Sequence, residues 1–215
     1  MARDPGAERD GADGFVRDPE ELTALYGPVP KRAAGKVHPR LDANDRAFIA
    51  SSPFMVLATA QAGGLLDVSP RGDRPGFVTV LDGDRLVLPD RPGNNRIDSL
   101  LNVLSDPRAS MIFLIPGVGQ TLRVNGTAAV STDPGLLRLG AVGDRLPTTA
   151  LVLTATEVLY QCPRALVRSR LWDPEARVPA EEVPDLDAVL AEQVPGLTLA
   201  ESRAIGAASV DDPLW

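Results

Sequence analysis

A run of short apolar segments, separated by short turn-rich links, most constrains how this chain can fold. About seven segments between residues 53 and 162 read as strands, and one helical segment at 95–105 interrupts them. Asp82–Gly83 is a typical pair for a tight hairpin, and Gly63–Gly64 predicts a second turn. Many short strands with short links favour antiparallel pairing. We therefore predict a mainly β fold, an antiparallel β-barrel with flanking helices, over a sandwich or a parallel α/β sheet.

Composition divides the chain into three parts. Residues 1–40 are polar and punctuated by glycine and proline, which predicts an N-terminal arm that is partly ordered or packed on a partner. Residues 41–174 hold the strand segments and form the barrel domain, beginning with a helix capped by Asp42 or Asn44. Residues 175–215 are acidic and broken by prolines, and predict a C-terminal helical extension.

Charge and hydropathy exclude several classes of protein. The net charge of −7 argues against a nucleic-acid partner, since such surfaces are basic. No apolar run approaches the ~20 residues of a membrane span, so no membrane association is predicted. The charged N-terminus lacks the apolar segment of a signal peptide, and we expect a cytoplasmic protein.

The chain has few residues for side-chain catalysis. Its one cysteine and one histidine are too few for a zinc site of the Cys/His type, and no metal site is predicted. A catalytic triad would need His38, which lies in a segment bounded by glycine and proline and is interpreted as an exposed loop residue. If the protein is an enzyme, its reactive group is therefore expected to be a cofactor.

Three segments carry arginine where an anion could bind. In the loop Ser69–Gly76, Ser69 and Arg71 are candidate anion ligands, although a polar hairpin loop would have the same composition. The segment 89–96 leads into the predicted helix, with Asn94 or Asn95 as its cap and Arg96 against the helix dipole, which an anion would relieve. Three arginines in the segment 162–172 either meet an anion or pair with the acidic helix that follows.

Four ordered motifs carry a family resemblance. SPRGD-x-PGF, PDRPGNNR-x-DSL-x-N, PG-x-x-x-TLRVNG and CP-x-A-x-x-RS-x-LW stand at 69–77, 89–102, 116–126 and 162–172. Residues 41–174 thus resemble the FMN-binding split-barrel family of pyridoxamine 5'-phosphate oxidase-like proteins, and in particular a bacterial subgroup of unassigned FMN-dependent enzymes. The substrate-phosphate residues and C-terminal signature of true pyridoxamine phosphate oxidases have no counterpart here, so vitamin B6 oxidation is not expected.

The resemblance implies a homodimer that holds FMN between two barrels. It implies an FMN-dependent oxidoreductase acting on a small molecule, with the flavin rather than a catalytic side chain carrying the chemistry. A deazaflavin (F420)-dependent reductase and a non-catalytic flavin-binding or storage module remain as alternatives. The cofactor-binding residues that it implies are Val68, Ser69, Pro70 and Arg71 along the flavin, Asn95 and Arg96 at the phosphate, Thr121 and Arg123 near the ring, and Arg168 and Trp172 completing the pocket.

Overall fold

The computed structural model describes residues 14–211, in two compact units. The first unit ends at Lys36 and contains helices α1 (Pro19–Tyr26) and α2 (Lys31–Ala34). Asp18 caps α1, since its carboxylate accepts a hydrogen bond from the Glu20 amide at 2.9 Å. Residues 1–13, part of the predicted arm, lie outside the described residues.

The second unit, beginning at Val37, is built on one seven-stranded antiparallel sheet. Its strand order is β2-β1-β5-β6-β7-β4-β3. The strands are β1 (Phe54–Ala60), β2 (Leu66–Gly72), β3 (Thr79–Val80), β4 (Arg85–Pro89), β5 (Arg108–Leu114), β6 (Thr121–Ser131) and β7 (Ala150–Gln161). This sheet with flanking helices confirms the predicted antiparallel β architecture and is that of a split barrel.

The helices of this unit are α3 (Ala43–Ser51), α4 (Asp98–Ser105), α5 (Pro134–Leu139), α6 (Arg164–Arg168), α7 (Leu186–Gln193) and α8 (Leu199–Asp211). Asp42 caps α3 in a capping box with Asp45, as one of the two predicted caps. Three boundaries were wrong. The segment Ser69–Gly76, predicted as a loop, belongs to β2 as far as Gly72. The strand predicted at 76–82 is only Thr79–Val80, and the helix predicted at 95–105 begins at Asp98 because the residues before it are not helical.

The two faces of the sheet have different roles. Inward-pointing residues form the core, among them Met55, Leu57, Met111, Phe113, Leu122, Val124, Leu151, Leu153 and Val158. Cross-strand partners share a face. The opposite surface, which we call the outward face, is therefore defined by two rows of paired residues. One row is Val68–Ala58–Ser110–Asn125, and the other is Pro70–Val56–Ile112–Arg123.

A β-bulge joins the two longest strands. Asn125 pairs with Glu157 and Gly126 with Ala155, so Thr156 of β7 has no partner on β6. Gly126 is required here, because a Cβ atom at this position would lie 1.9 Å from the Thr154 carbonyl oxygen. The bulge lets inward residues on both sides of it, such as Ala155 and Val158, remain buried.

Candidate functional site

A cavity of about 210 Å³ lies where the inward side of β2 meets α4 and the loop before it. Asp67, Ser69 and Arg71 alternate along β2 and thus face the same way. They pair with inward residues of β1, such as Leu57 opposite Ser69. The full lining is Asp67, Ser69, Arg71, Asp90, Arg91, Gly93, Asn94, Asn95, Arg96, Ile97, Asp98, Ser99 and Leu100.

Ser99, in the first turn of α4, connects the polar side chains on the cavity floor. Its side chain is buried, and its Oγ donates to Asp67 Oδ2 at 2.6 Å. The same Oγ accepts from Arg71 Nη2 at 3.2 Å and lies 3.2 Å from Ser69 Oγ. Ser99 therefore fixes the side chains of β2 against the helix start.

The Arg71 guanidinium is only partly satisfied. Its Nη1 lies 3.7 Å from Asp90 Oδ1, an ion pair too long for a hydrogen bond. Its Nε is buried and has no hydrogen-bond partner among the described residues. Burial raises the pKa of Asp90, and the Arg71 charge partly opposes that shift. Arg71 thus faces the cavity with donor capacity left for an anion.

The loop that leads into α4 is strained. Asn95 and Ile97 have positive φ angles of 57° and 50°, and a β-branched residue such as isoleucine rarely adopts this conformation. Ile97 is the N-cap of α4 and makes no side-chain capping bond, so the predicted cap at Asn94 or Asn95 was wrong. Left-handed residues of this kind turn successive backbone N–H groups towards one point, as in anion-binding nests.

The cavity's other two arginines differ in how they are held. Arg96 is exposed, and its Nε donates to Asp98 Oδ2 at 2.8 Å. It precedes α4, which begins at Asp98, and so does not lie in the first helical turn as predicted. Arg91 donates to the buried Asp73 carboxylate at 2.8 Å and to the Gly140 carbonyl at 2.5 Å. Arg96 can reach a ligand by breaking a weak surface pair, whereas Arg91 holds two loops together.

The remaining residues implied by the resemblance do not line this cavity. Val68 and Pro70 point to the outward face, as do Thr121 and Arg123. Arg123 Nη2 donates to Glu157 Oε1 at 3.0 Å. Arg168 is exposed at the end of α6, and Trp172 Nε1 donates to the Val118 carbonyl at 2.8 Å. One chain brings together Ser69, Arg71, Asn95 and Arg96 but not the other six residues, and a cofactor role for all ten stays a prediction.

The outward face carries a shallow, mostly apolar groove of about 420 Å³. Ala58, Ala60, Leu66 and Val68 form its apolar part, and Leu66 and Val68 are exposed. Its polar edge is a chain of hydrogen bonds, in which Ser110 Oγ donates to Asn125 Oδ1 at 2.6 Å and Asn125 Nδ2 donates to Glu157 Oε1 at 2.7 Å.

His38 is not the exposed loop residue that the sequence indicated. Its Nε2 lies 2.8 Å from Oδ2 of the fully buried Asp45, and its backbone pairs with Val158 on β7. The ligand atoms of His38, Asp42 and Asp45 all lie within 4.8 Å of one another. Burial, with the nearby Asp45 and Asp42 charges, raises the pKa of Tyr160 to about 12.

Sequence reasoning did not single out several cavity residues, among them Asp67, Asp90 and Ser99. Asp67 could have been found, because it continues the two-residue alternation of Ser69 and Arg71. Asp90 reaches the cavity because β4 pairs with β7, and Ser99 reaches it because α4 packs there. Local sequence patterns do not reveal either contact.

The fold and the cavity define a class, a split barrel with an arginine-lined cavity at a helix start. The sequence model for pyridoxamine 5'-phosphate oxidase matches residues 41–162, more than half of the chain, and the chain belongs to this family. No functionally curated protein matches the sequence significantly. No helix within residues 14–211 has the length and apolar character needed to cross a membrane.

Several solved structures resemble the barrel in part. A putative pyridoxamine 5'-phosphate oxidase from Lactobacillus delbrueckii is 20% identical, with a TM-score of 0.42 over 57% of this chain and 99% of that one. The FAD-binding protein of Mycobacterium smegmatis is 15% identical, with a TM-score of 0.40 over 58% and 97%. An F420 reductase is 15% identical, with a TM-score of 0.38 over 56% and 98%. The family assignment rests on the sequence model.

Proposed function

We propose that this protein is an FMN-dependent oxidoreductase that acts on a small molecule as a homodimer. The observation that carries the proposal is the incompletely satisfied Arg71 guanidinium, held by Ser99 in a cavity bordered by a strained loop. Backbone strain persists where the surrounding structure supports it, and it clusters at ligand sites. Two arginines and a serine hydroxyl at a strand end, beside the start of a helix, form a suitable cradle for a phosphate monoester.

The residues present fit the phosphate end of FMN. Arg71 has an unpartnered Nε, and Arg96 is tied only by an exposed pair to Asp98. Both guanidiniums can offer paired donors to a phosphate. Ser69 Oγ, on the same side of β2, adds a hydroxyl donor. These groups would bind and orient the cofactor rather than take part in the reaction.

The cavity in one chain is small for a whole flavin cofactor. Its volume of about 210 Å³ is below the roughly 300–1,000 Å³ typical of small-molecule sites. Strand β2 is an edge strand, so the rest of the cofactor can pass around it to the outward face. We infer that a second copy of the chain docks there, along the groove that contains Val68, and encloses that part of the cofactor. Thr121 and Arg123 would then lie at the interface, where the family resemblance puts them near the ring.

Bound FMN supplies hydride and electron transfer, and the protein supplies orientation, shielding and charge. Arg71 and Arg96 would neutralise the phosphate. The Arg123 guanidinium, with a buried and unpartnered Nε, would offer a donor to a ring carbonyl and favour the reduced anionic ring. This division of roles agrees with the lack of histidine and cysteine near the cavity.

The absorbance spectrum of the purified protein, with mass identification of the released ligand, tests the cofactor. We expect a flavin spectrum and the mass of FMN, whereas a deazaflavin or no ligand would contradict the proposal. Reduction by NAD(P)H in a stopped-flow instrument, followed by oxygen, then tests redox turnover; a flavin that is never reduced would indicate a storage module. Arg71→Ala is expected to lose the flavin, and the surface variant Arg85→Ala to keep it.

A further inference from the structure

Asp90 is a carboxylate placed inside the proposed phosphate cavity. It follows β4 directly, and its amide donates to the Thr149 carbonyl at 3.0 Å, which fixes the backbone. Its side chain is three-quarters buried, with 25% of its surface exposed. A carboxylate at this position repels the same anion that the neighbouring arginines attract.

The charges around Asp90 come from three elements. Strand β2 contributes Asp67 and Arg71. The loop between β4 and α4 contributes Arg91 and Arg96, and α4 contributes Asp98. Asp67 accepts from Ser99, Arg91 is bound to Asp73, and Arg96 is bound to Asp98. Arg71, 3.7 Å away, is the cation whose charge lowers the pKa of Asp90 against the effect of burial.

This arrangement creates a competition for one guanidinium. The three arginines and three aspartates that line the cavity cancel in charge, so a dianionic phosphate makes it negative overall. We propose that the bound phosphate displaces Asp90 from Arg71, so that binding of the cofactor takes up a proton at Asp90. This inference rests on the proposed function.

The direction of the effect follows from linkage. Burial already raises the pKa of Asp90, and loss of its pairing with Arg71 together with a new anion nearby raises it further. The complex therefore binds more protons than the free components, and affinity for FMN falls as the pH rises. Each proton taken up changes the dissociation constant by up to about tenfold per pH unit.

Calorimetric titration of the full-length apoprotein with FMN, in two buffers of different ionisation enthalpy, counts the protons. The phosphate of FMN has a second pKa near 6, so it contributes to the proton count in every variant. The difference between wild type and Asp90→Asn isolates Asp90. Asp82→Asn is the charge-matched control, since Asp82 pairs with Arg85 on the exposed β3–β4 hairpin.

We expect wild type and Asp82→Asn to take up more protons at pH 7 than Asp90→Asn. We also expect Asp90→Asn to bind FMN about tenfold more tightly at pH 8, with the difference shrinking below pH 6. Equal proton counts and parallel pH profiles for wild type and Asp90→Asn would overturn this inference alone. Failure of the wild-type apoprotein to bind FMN would overturn it together with the proposed function.

Discussion

The Oδ2 atom of Asp73 lies 2.8 Å from both Nε and Nη2 of Arg91. Arg91 Nη1 also donates to the Gly140 carbonyl at 2.5 Å, so one guanidinium joins the loop after β2, the loop after β4 and the end of α5. The Asp73 side chain is only 5% exposed. This arginine lines the candidate cavity, but its donors already serve the fold.

Asp73→Asn is therefore expected to destabilise the protein without acting on a ligand directly. Removing one partner of a buried ion pair costs about 3 kcal/mol in the free energy of unfolding. Urea denaturation monitored by circular dichroism measures this loss. Asp82→Asn breaks an exposed pair and should leave the midpoint unchanged. An Asp73→Asn protein as stable as wild type would show that the Asp73–Arg91 pair does not hold these segments together.

Arg71→Ala should weaken FMN binding more than Arg96→Ala does. Arg71 is 28% exposed and loses charged hydrogen bonds in a shielded site, which predicts a loss of about 10- to 100-fold. Arg96 is 72% exposed, and water screens its contribution, so a loss of about threefold to tenfold is expected. Fluorescence titration of the two apoproteins with FMN gives the order. The reverse order would place the phosphate at the loop rather than on the strand.

Ile97→Asn should stabilise the free protein. Asparagine tolerates the left-handed conformation that Ile97 adopts at φ 50°, and removing this strain is worth about 1 kcal/mol. Thermal unfolding measures the gain. Leu101→Asn is the matched control, since Leu101 is similarly exposed but lies within α4, where asparagine is unfavourable. No rise in melting temperature for Ile97→Asn would mean that the loop is not strained.

Tyr160→Phe should make the protein more resistant to alkali. The pKa of Tyr160 is raised from 10.0 to about 12, so the unfolded chain ionises first and stability is lost as pH rises between these values. With allowance for partial solvent screening, the loss avoided is about 1 kcal/mol. Unfolding free energies at pH 8 and pH 11 should differ less in the variant than in wild type. Tyr26→Phe, at a side chain that is 85% exposed, is the control and should behave as wild type.

Val68→Asp should produce monomers that bind flavin poorly. Val68 is 65% exposed in the outward groove, and a charge there would be buried without a partner in the proposed dimer. Size-exclusion chromatography with light scattering gives the oligomeric state, and absorbance gives the flavin content. Thr156→Asp places a charge at the edge of the same groove and tests how far the interface extends. A Val68→Asp dimer that keeps its flavin would move the interface elsewhere.

Strands and turns of this chain follow from local sequence. Short-range rules account for the buried-strand pattern at 109–117, the alternation at 121–131, the hairpin at Asp82–Gly83 and the helix cap at Asp42. The structure confirms these elements, with β5 ending at Leu114. Residues 95–97 do not follow these rules. Local sequence favours an asparagine cap, but the chain instead holds Ile97 in a left-handed conformation at the cavity edge.

The candidate site was predictable only where its residues are neighbours in sequence. Ser69 and Arg71 were predicted together as anion ligands because they lie two residues apart, although they occupy strand β2 and not the predicted loop. The contact of Arg71 with Asp90, and that of His38 with Asp45, depend on tertiary packing that brings separate segments together. A single sequence carries no local signal for such contacts.

The unpaired Thr156 gives β7 two alternating patterns of opposite phase in one continuous strand. Leu151, Leu153 and Ala155 are buried before the bulge, and after it Val158 is buried and Tyr160 packs against the core. If Thr156 instead paired regularly with β6, strict alternation would turn Glu157 into the core and Val158 out to solvent. The Glu157 carboxylate accepts hydrogen bonds from Arg123 and Asn125. It therefore lies on the outward surface because the bulge shifts the alternation of β7 by one residue.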